Sequence, residues 1–338
     1  MQAGRAETGR RTVAGLSPSL VEFALDHLVW GILVVILIVC SLSIDRFFQV
    51  GIFLNILQHA TFVGLLAIGL AFCIIAGHMD LSVESVMAFS AMLGAWLAAT
   101  SASAGGLGVP TPFVLVACLA FGALAGAYNA YLVVRLNINA FIVTLATYIS
   151  IRGLGLILTG GRSIYGLPDS FKGVAATSIG GVSLLIVILV VTYVVFSVLL
   201  KRTRFGRYIY LVGGNPVAPF RAGIDVQRML FAAFILSGVL AAFAGFLLAS
   251  RTNGATPNLG LGMLFEVFAA VVIGGVSLKG GVGRLSGVFA GVLLLSTIDT
   301  AINVMGLDAS YMQVIRGGLM LLAVMLDSLK TQIRRRWL

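Results

Sequence analysis

The chain has 338 residues, of which 59% are hydrophobic and only 10% charged, with a mean hydropathy of +1.08. A soluble domain carries charge on about a quarter of its residues and a transmembrane barrel alternates apolar with polar positions. The long runs here are apolar all round, which excludes both in favour of an all-α integral membrane protein; the net charge of +10 is then topological, Lys and Arg gathering in cytoplasmic loops, and no nucleic-acid partner is expected.

In chain order, an N-terminal arm, residues 1–27, carries Arg5, Arg10 and Arg11. No small-residue cleavage site follows the apolar run that begins at Leu28, so this run reads as a retained first span. Spans near the ~20 residues a bilayer requires are predicted at 28–44, 53–76, 83–100, 112–134, 139–159, 182–200, 229–249, 264–278, 284–303 and 313–329. They make one transmembrane domain over 28–329, a polytopic bundle of about ten helices, followed by a basic tail at 330–338. The shorter eighth and ninth segments suit tilted, broken or re-entrant helices, which are tolerated where protein covers the backbone. With an even count, the arm, the tail (Lys330, Arg334, Arg335, Arg336) and the basic loop at about 201–228 fall on one side, the cytoplasm.

Between the second and third spans, "GHMDLSVES" (77–85) gathers polar residues in an otherwise apolar region. Two compatible readings stay open for Asp80 and Ser82. They cap the orphan N–H groups of the third helix, or, as the family resemblance given below implies, they lie at the mouth of a path and touch the solute. Glu84 stands too close to Ser82 for a capping box but suits the first turn of a helix. His78 and Glu84 at a gate would make it pH-sensitive. The turn "LNINAFIVT" adds Asn139 and Thr144, and the second span adds Asn55, Gln58 and His59. Polar groups inside spans face protein or a watery path, so Asp80, Ser82, Asn139, Thr144, Asn55 and Gln58 are the candidate path and gate residues. Helix–helix hydrogen bonding is the competing reading for these and for Asn129, Thr147, Tyr148, Asp299 and Asn303. Arg152, charged within the fifth span, is matched with Asp299, and Glu266 is expected near the periplasmic surface. The pairs Gly122/Gly126 and Gly287/Gly291 are expected where helices approach closely. Cys40, Cys73 and Cys118 lie in apolar runs without CxxC spacing or neighbouring His, and read as packing residues.

The longest cytoplasmic loop, "LLKRTRFGRYIYLVGGNPVAPFRAGIDVQRM" (199–229), has two parts. Lys201 to Arg207 fits a basic anchor at the membrane surface. Asn215 and Pro216 fit an N-cap and first helical position, and Gly223 a helix stop. A helix of about two turns over 214–223 cannot stand alone. Its apolar side, Val217, Ala218 and Phe220, with Arg221 beside it, therefore calls for a docking partner. There is no G-x-x-x-x-G-K-[ST] loop, HExxH, nucleophile elbow or pair of carboxylates at workable spacing. No enzyme is expected, and with it no catalytic residue, cofactor or metal.

Four stretches carry a resemblance: "AGHMDLSVESVMAFSAML", "NINAFIVTLATYISIRGL", "TRFGRYIYLVGGNPVAPFRAGIDV" and "FEVFAAVVIGGVSLKGGVGRLSGVFAGVLLL". With their spacing they cover most of 45–330 and resemble the permease subunits of ribose/xylose/arabinose-type sugar ABC importers, in the branched-chain amino acid/monosaccharide permease superfamily. Departures are His78, Met79 and Glu84, where that family usually has Gly, Ile and Gly. The resemblance implies a bundle similar to the cobalamin importer permeases, in the bacterial inner membrane, with both termini cytoplasmic. It implies that a monosaccharide or similar polyol is moved into the cytoplasm. Its implied partners are ABC ATPase subunits that hydrolyse the ATP and dock on the segment Asn215–Gly223, a periplasmic sugar-binding protein, membrane lipid, and a second permease copy in a homodimer or paralogous heterodimer. A self-contained channel or secondary transporter for a small polar solute is the alternative. It would need coupling carboxylates deep in the spans or broken helices in two matching halves, and Asp299 is the only deep acid in the predicted spans.

Overall fold

The computed structural model describes residues 18–100, 106–215, 217–307, and beyond these 311, 313–318, 320–322 and 324–325. The chain before Pro18, Pro216 and the tail 330–338 lie outside the described residues. In chain order the helices are α1 (Pro18–Ser43), α2 (Val50–Ile75), α3 (Val83–Ala98), α4 (Thr111–Ala130), α5 (Ala140–Thr159), α6 (Asp169–Ala176), α7 (Leu184–Arg202), α8 (Arg204–Gly214), α9 (Val217–Arg221), α10 (Val226–Thr252), α11 (Met263–Ile273) and α12 (Leu285–Val304). α4 runs on into a π-helical turn, Tyr131–Arg135. Six of the helices are long and apolar enough to cross a membrane, and four shorter apolar helical stretches include Val83–Ala98, Met263–Ile273 and Gln313–Leu322. α1 begins upstream of the expected position 28.

Two helices form the centre. α2 is buried along nearly its whole course from Ala60 to Ala76, and α10 packs against α2, α3 and α4. Small residues make this possible. Gly122 and Gly126 of α4 sit against the α10 backbone at Phe234 and Gly238, where an added Cβ would overlap it. Gly287 and Gly291 of α12 meet Gly274 and Ala270 in the same way. Without water to drive helices together in lipid, such close van der Waals contact is the main attraction. The sequence pairs thus sit at the contacts expected of them. On the periphery, α5 exposes Ile142, Ile149 and Ile157, and α7 exposes Val191, Val194 and Val198.

The segment between α5 and α7 is more ordered than its Gly- and Ser-rich sequence suggests. β1 (Ile164–Tyr165) pairs antiparallel with β4 (Gly254–Ala255), and β2 (Ser178–Ile179) with β3 (Val182–Ser183). Gly180 and Gly181 both have positive φ, as a two-residue hairpin turn requires. α6 is held down by buried Phe171 and by Ser250, whose hydroxyl donates to Phe171 O at 2.7 Å and accepts from Ala175 N–H at 3.0 Å.

The basic loop also holds more structure than a surface anchor. Thr203 Oγ1 accepts from Gly206 N–H at 3.2 Å and starts α8, which buries Gly206, Ile209 and Val212. Asp225 Oδ1 accepts from Arg228 N–H at 3.0 Å and starts α10. At the α8 end of the bundle, Gly213 lies against Gly77, Gly280 and Gly281, so the turns after α2 and after α11 meet α8 backbone to backbone.

Candidate functional site

At this α8 end a cavity of about 430 Å³ opens among His78, Met79, Asn137, Asn139, Phe141 and Leu278, a size that suits a small solute. Its floor is the turn between α2 and α3, which folds back into the bundle and buries Asp80 and Ser82. Asp80 Oδ1 accepts from the Ser82 N–H at 3.0 Å and from its hydroxyl at 2.6 Å. Ser82 Oγ accepts from Asn129 Nδ2 at 2.9 Å, and Asn129 Oδ1 accepts from the Thr147 hydroxyl at 2.7 Å. A hydrogen-bonded chain therefore runs from the turn through α4 to α5. Burial pushes the Asp80 carboxyl up, against the Ser82 donors that hold it down. Burial likewise pushes the His78 imidazole down, partly offset by the Ala76 carbonyl.

The capping expectation needs correcting in detail. Ser82 occupies the N-cap of α3 but makes no side-chain cap bond, and Asp80 satisfies the Ser82 N–H instead of one in the first turn. Thr144 donates to Ala140 O at 2.7 Å and faces Met79 O at 3.4 Å, beneath the cavity. Asn139 is exposed at the cavity lip and caps α5, accepting from Phe141 N–H at 2.9 Å. Asp80, Ser82, Asn139 and Thr144 are thus brought together. Asn55 and Gln58 are not: they lie toward the other end of α2, where Asn55 is exposed and Gln58 accepts from Arg251.

Further into the bundle, Glu84 is 1% exposed and fully engaged. Its Oε1 accepts from the Tyr148 hydroxyl at 3.0 Å and lies 3.4 Å from Arg152 Nη2. Its Oε2 accepts from Gly262 N–H at 3.1 Å and Leu264 N–H at 2.9 Å, the orphan donors at the start of α11. A negative charge there is favoured by the helix dipole. Arg152 therefore pairs with Glu84 and not with Asp299. His78 makes its own contacts, to Ala76 O and edge-on to the Phe234 ring, away from Glu84.

A second ionic cluster lies on the other side of α11. Arg316 Nη2 is 3.0 Å from Asp299 Oδ1 and 3.5 Å from Glu266 Oε2. His59 lies between the same two acids, 3.8 Å from Glu266 and 3.7 Å from Asp299. Glu266 is 3% exposed, which corrects the expectation of a surface position. Arg316 went unnoticed in the sequence. Its signal was available, a lone Arg in the last apolar run, because a charge in a span demands a counter-charge.

On the outer surface, Asn215 Oδ1 accepts from Val217 N–H at 3.0 Å and starts α9, and Gly223 ends the turn at φ 74°. α9 covers less than the expected 214–223. It tucks Pro219 inward and leaves Val217, Ala218, Phe220 and Arg221 exposed, Phe220 at 73%.

The family model for the branched-chain amino acid transport system / permease component matches residues 52–324. The chain is 36% identical over 312 residues to the L-arabinose ABC transporter permease protein of Azospirillum brasilense, covering 90% of this chain and 89% of that protein. It is 32% identical over 311 residues to the ribose import permease protein of Haemophilus influenzae (91% and 94%), and 35% identical over 322 residues to the L-arabinose transport system permease protein of Escherichia coli (90% and 92%). No solved structure matches the chain.

Proposed function

The chain belongs to the branched-chain amino acid transport system / permease component family, and from that membership we propose that it is the permease subunit of a binding-protein-dependent ABC importer that carries a monosaccharide across the bacterial inner membrane. The sugar class follows the L-arabinose and ribose permeases to which it is similar over nine-tenths of its length. ATP is hydrolysed on a separate subunit. A periplasmic binding protein delivers the sugar, and a second permease copy completes the path. Six helices are long and apolar enough to cross a membrane; counting the four shorter apolar stretches as spans as well makes the number even, and both termini then face the cytoplasm. The cavity lined by His78, Asn137 and Asn139, beside the turn that buries Asp80 and Ser82, is the cytoplasmic mouth, where hydroxyl-rich solutes meet Asn side chains and leave for water.

One observation carries the coupling half of this reading. α9 turns Val217 and Phe220 outward beside Arg221, and the described residues leave all three exposed. A helix this short gains stability only from what buries it. An ATPase cleft does so, Phe220 filling an apolar pocket and Arg221 reaching an acidic group. Phe220→Ala with Arg221→Glu should leave the permease folded, weaken ATPase association by on the order of 2 kcal/mol or more, and abolish sugar-stimulated ATP hydrolysis in proteoliposomes. A double variant that assembles and couples like the parent would make α9 an ordinary surface turn. The channel or carrier alternative predicts sugar flux through the purified permease alone.

A further inference from the structure

Several features of the bundle converge on α11. Its first turn is held by Glu84, which also grips Tyr148 and Arg152 half-way along α5. The other end of α11 runs into the turn 274–284, where Gly281 N–H donates to Ile75 O at 2.8 Å and Gly283 O accepts from the Tyr210 hydroxyl of α8 at 2.7 Å. Gly213 of α8 rests on Gly280 and Gly281, with no side chain between the backbones. α8 leads through Asn215 directly into α9. One continuous chain of contacts thus joins the middle of α5 to the exposed docking surface.

The α5 link is also the incompletely satisfied one. Arg152 Nη1 and Nη2 are buried without a hydrogen-bond partner, and the 3.4 Å approach to Glu84 lacks hydrogen-bond geometry. Buried donors of this kind carry a desolvation cost. The α11 end of Glu84, in contrast, is made of two backbone hydrogen bonds. The carboxylate is therefore held by two backbone hydrogen bonds at α11 and by the Tyr148 hydroxyl at α5.

We propose that Glu84 is a positioning residue for transport, linking the state of α5 to the α8–α9 surface through α11 as a rigid strut. This rests on the importer reading for its meaning in transport, but the linkage itself is a property of the permease. When α5 shifts, Glu84 carries α11 with it, and the 274–284 turn moves the backbone under Gly213. In the reverse direction, an ATPase pulling on α9 alters the grip of Glu84 on Tyr148 and Arg152. Arg316 Nη1 also lies beside Gly262, and its Nη2 is 3.5 Å from Glu266 Oε2, so α11 has a second electrostatic contact that does not involve α5.

Glu84→Gln separates the two ends of the link. Its carboxamide oxygen still accepts from Gly262 and Leu264, while its NH2 group replaces the acceptor that served Tyr148 and Arg152. Hydrogen exchange on the purified permease in nanodiscs needs no partner protein. Exchange of the 204–214 amides should rise about tenfold in Glu84→Gln, although α8 does not touch residue 84. Ser90→Ala, which removes a buried bond from α3 to Ala242 O of α10, should leave 204–214 unchanged. No rise in Glu84→Gln, or an equal rise in both variants, overturns the strut. In the complete importer, Glu84→Gln should keep basal ATP hydrolysis and lose most of its stimulation by sugar-loaded binding protein. Undiminished stimulation beside a responsive parent overturns the role in transport. A parent importer that never responds to sugar ends the importer reading instead, and the exchange result still decides the strut.

Discussion

Glu84 and Glu266 are the same side chain on opposite sides of one short helix, both almost fully buried, yet they are held in different ways. Glu84 accepts three hydrogen bonds, two of them from the backbone at the start of α11. Glu266 accepts none: both of its oxygens are buried without a donor, and its nearest basic groups, Arg316 and His59, stand at 3.5 and 3.8 Å. Glu84 is thus tied by directional bonds to two helices. Glu266 is kept by net charge, one acid among Asp299, Arg316 and His59. Directional bonds position an element, while a loose ionic cluster tolerates displacement. This difference is why the strut is assigned to Glu84 and only a guiding role to the Arg316 side.

The comparison breaks most visibly at Arg316. Arg316→Ala leaves Glu266 and Asp299 without the guanidinium that lies between them. Removing one partner from a buried ionic set costs about 3–5 kcal/mol, so thermal unfolding in nanodiscs should move down by many degrees. A shift no larger than that of a surface Arg would show the cluster to be wet and screened. Next in size is Glu84→Gln. It keeps the bonds to α11 but loses the acceptor for Tyr148 and places an amide against Arg152, a cost of about 2 kcal/mol. Smaller again is Thr147→Val, which removes the single donor to Asn129 Oδ1 for about 1 kcal/mol. Its loss should be measurable in the same melt, and a double-mutant cycle with Glu84→Gln should show coupling, because Thr147 and Tyr148 are neighbours on α5 and both networks join it to the start of α3.

The bundle was legible because lipid imposes a simple rule. Apolar runs mark helices, and small-residue pairs mark contacts, which is how Gly122, Gly126, Gly287 and Gly291 led to α10 and α11. The α9 turn was legible through Asn215 and Gly223, whose cap and stop roles are local. Pairing among buried charges was not, since it depends on which helices meet. Nothing in the spacing of Arg152, Asp299, Glu84 and Arg316 says that Arg152 meets Glu84 and Arg316 meets Asp299. The short length of α11 misled in the same way. A helix that starts inside the bundle places Glu266 in the interior, whereas a full span would have put it at a surface. α8 was missed because its basic residues satisfied a simpler explanation, although Gly206, Ile209 and Val212 already lay one helical turn apart.

The smallest expected effect is the sharpest test of the comparison. Glu266→Gln preserves shape and removes one charge from a cluster of two acids, one Arg and one His. No hydrogen bond is lost, because none is made. Arg316 keeps its 3.0 Å partner in Asp299. The new amide can turn its oxygen to Arg316, the nearer of the two basic groups. Relief of repulsion between the two acids then offsets the lost attraction to Arg316, and an exchange of a buried ion for a neutral isostere is often close to neutral. Glu266→Gln should therefore melt within about 1 kcal/mol of the parent, while Glu84→Gln, the same substitution across the helix, does not. Equal losses at both positions would mean that charge alone holds α11, and the distinction between a bonded strut and a loose guide would fall.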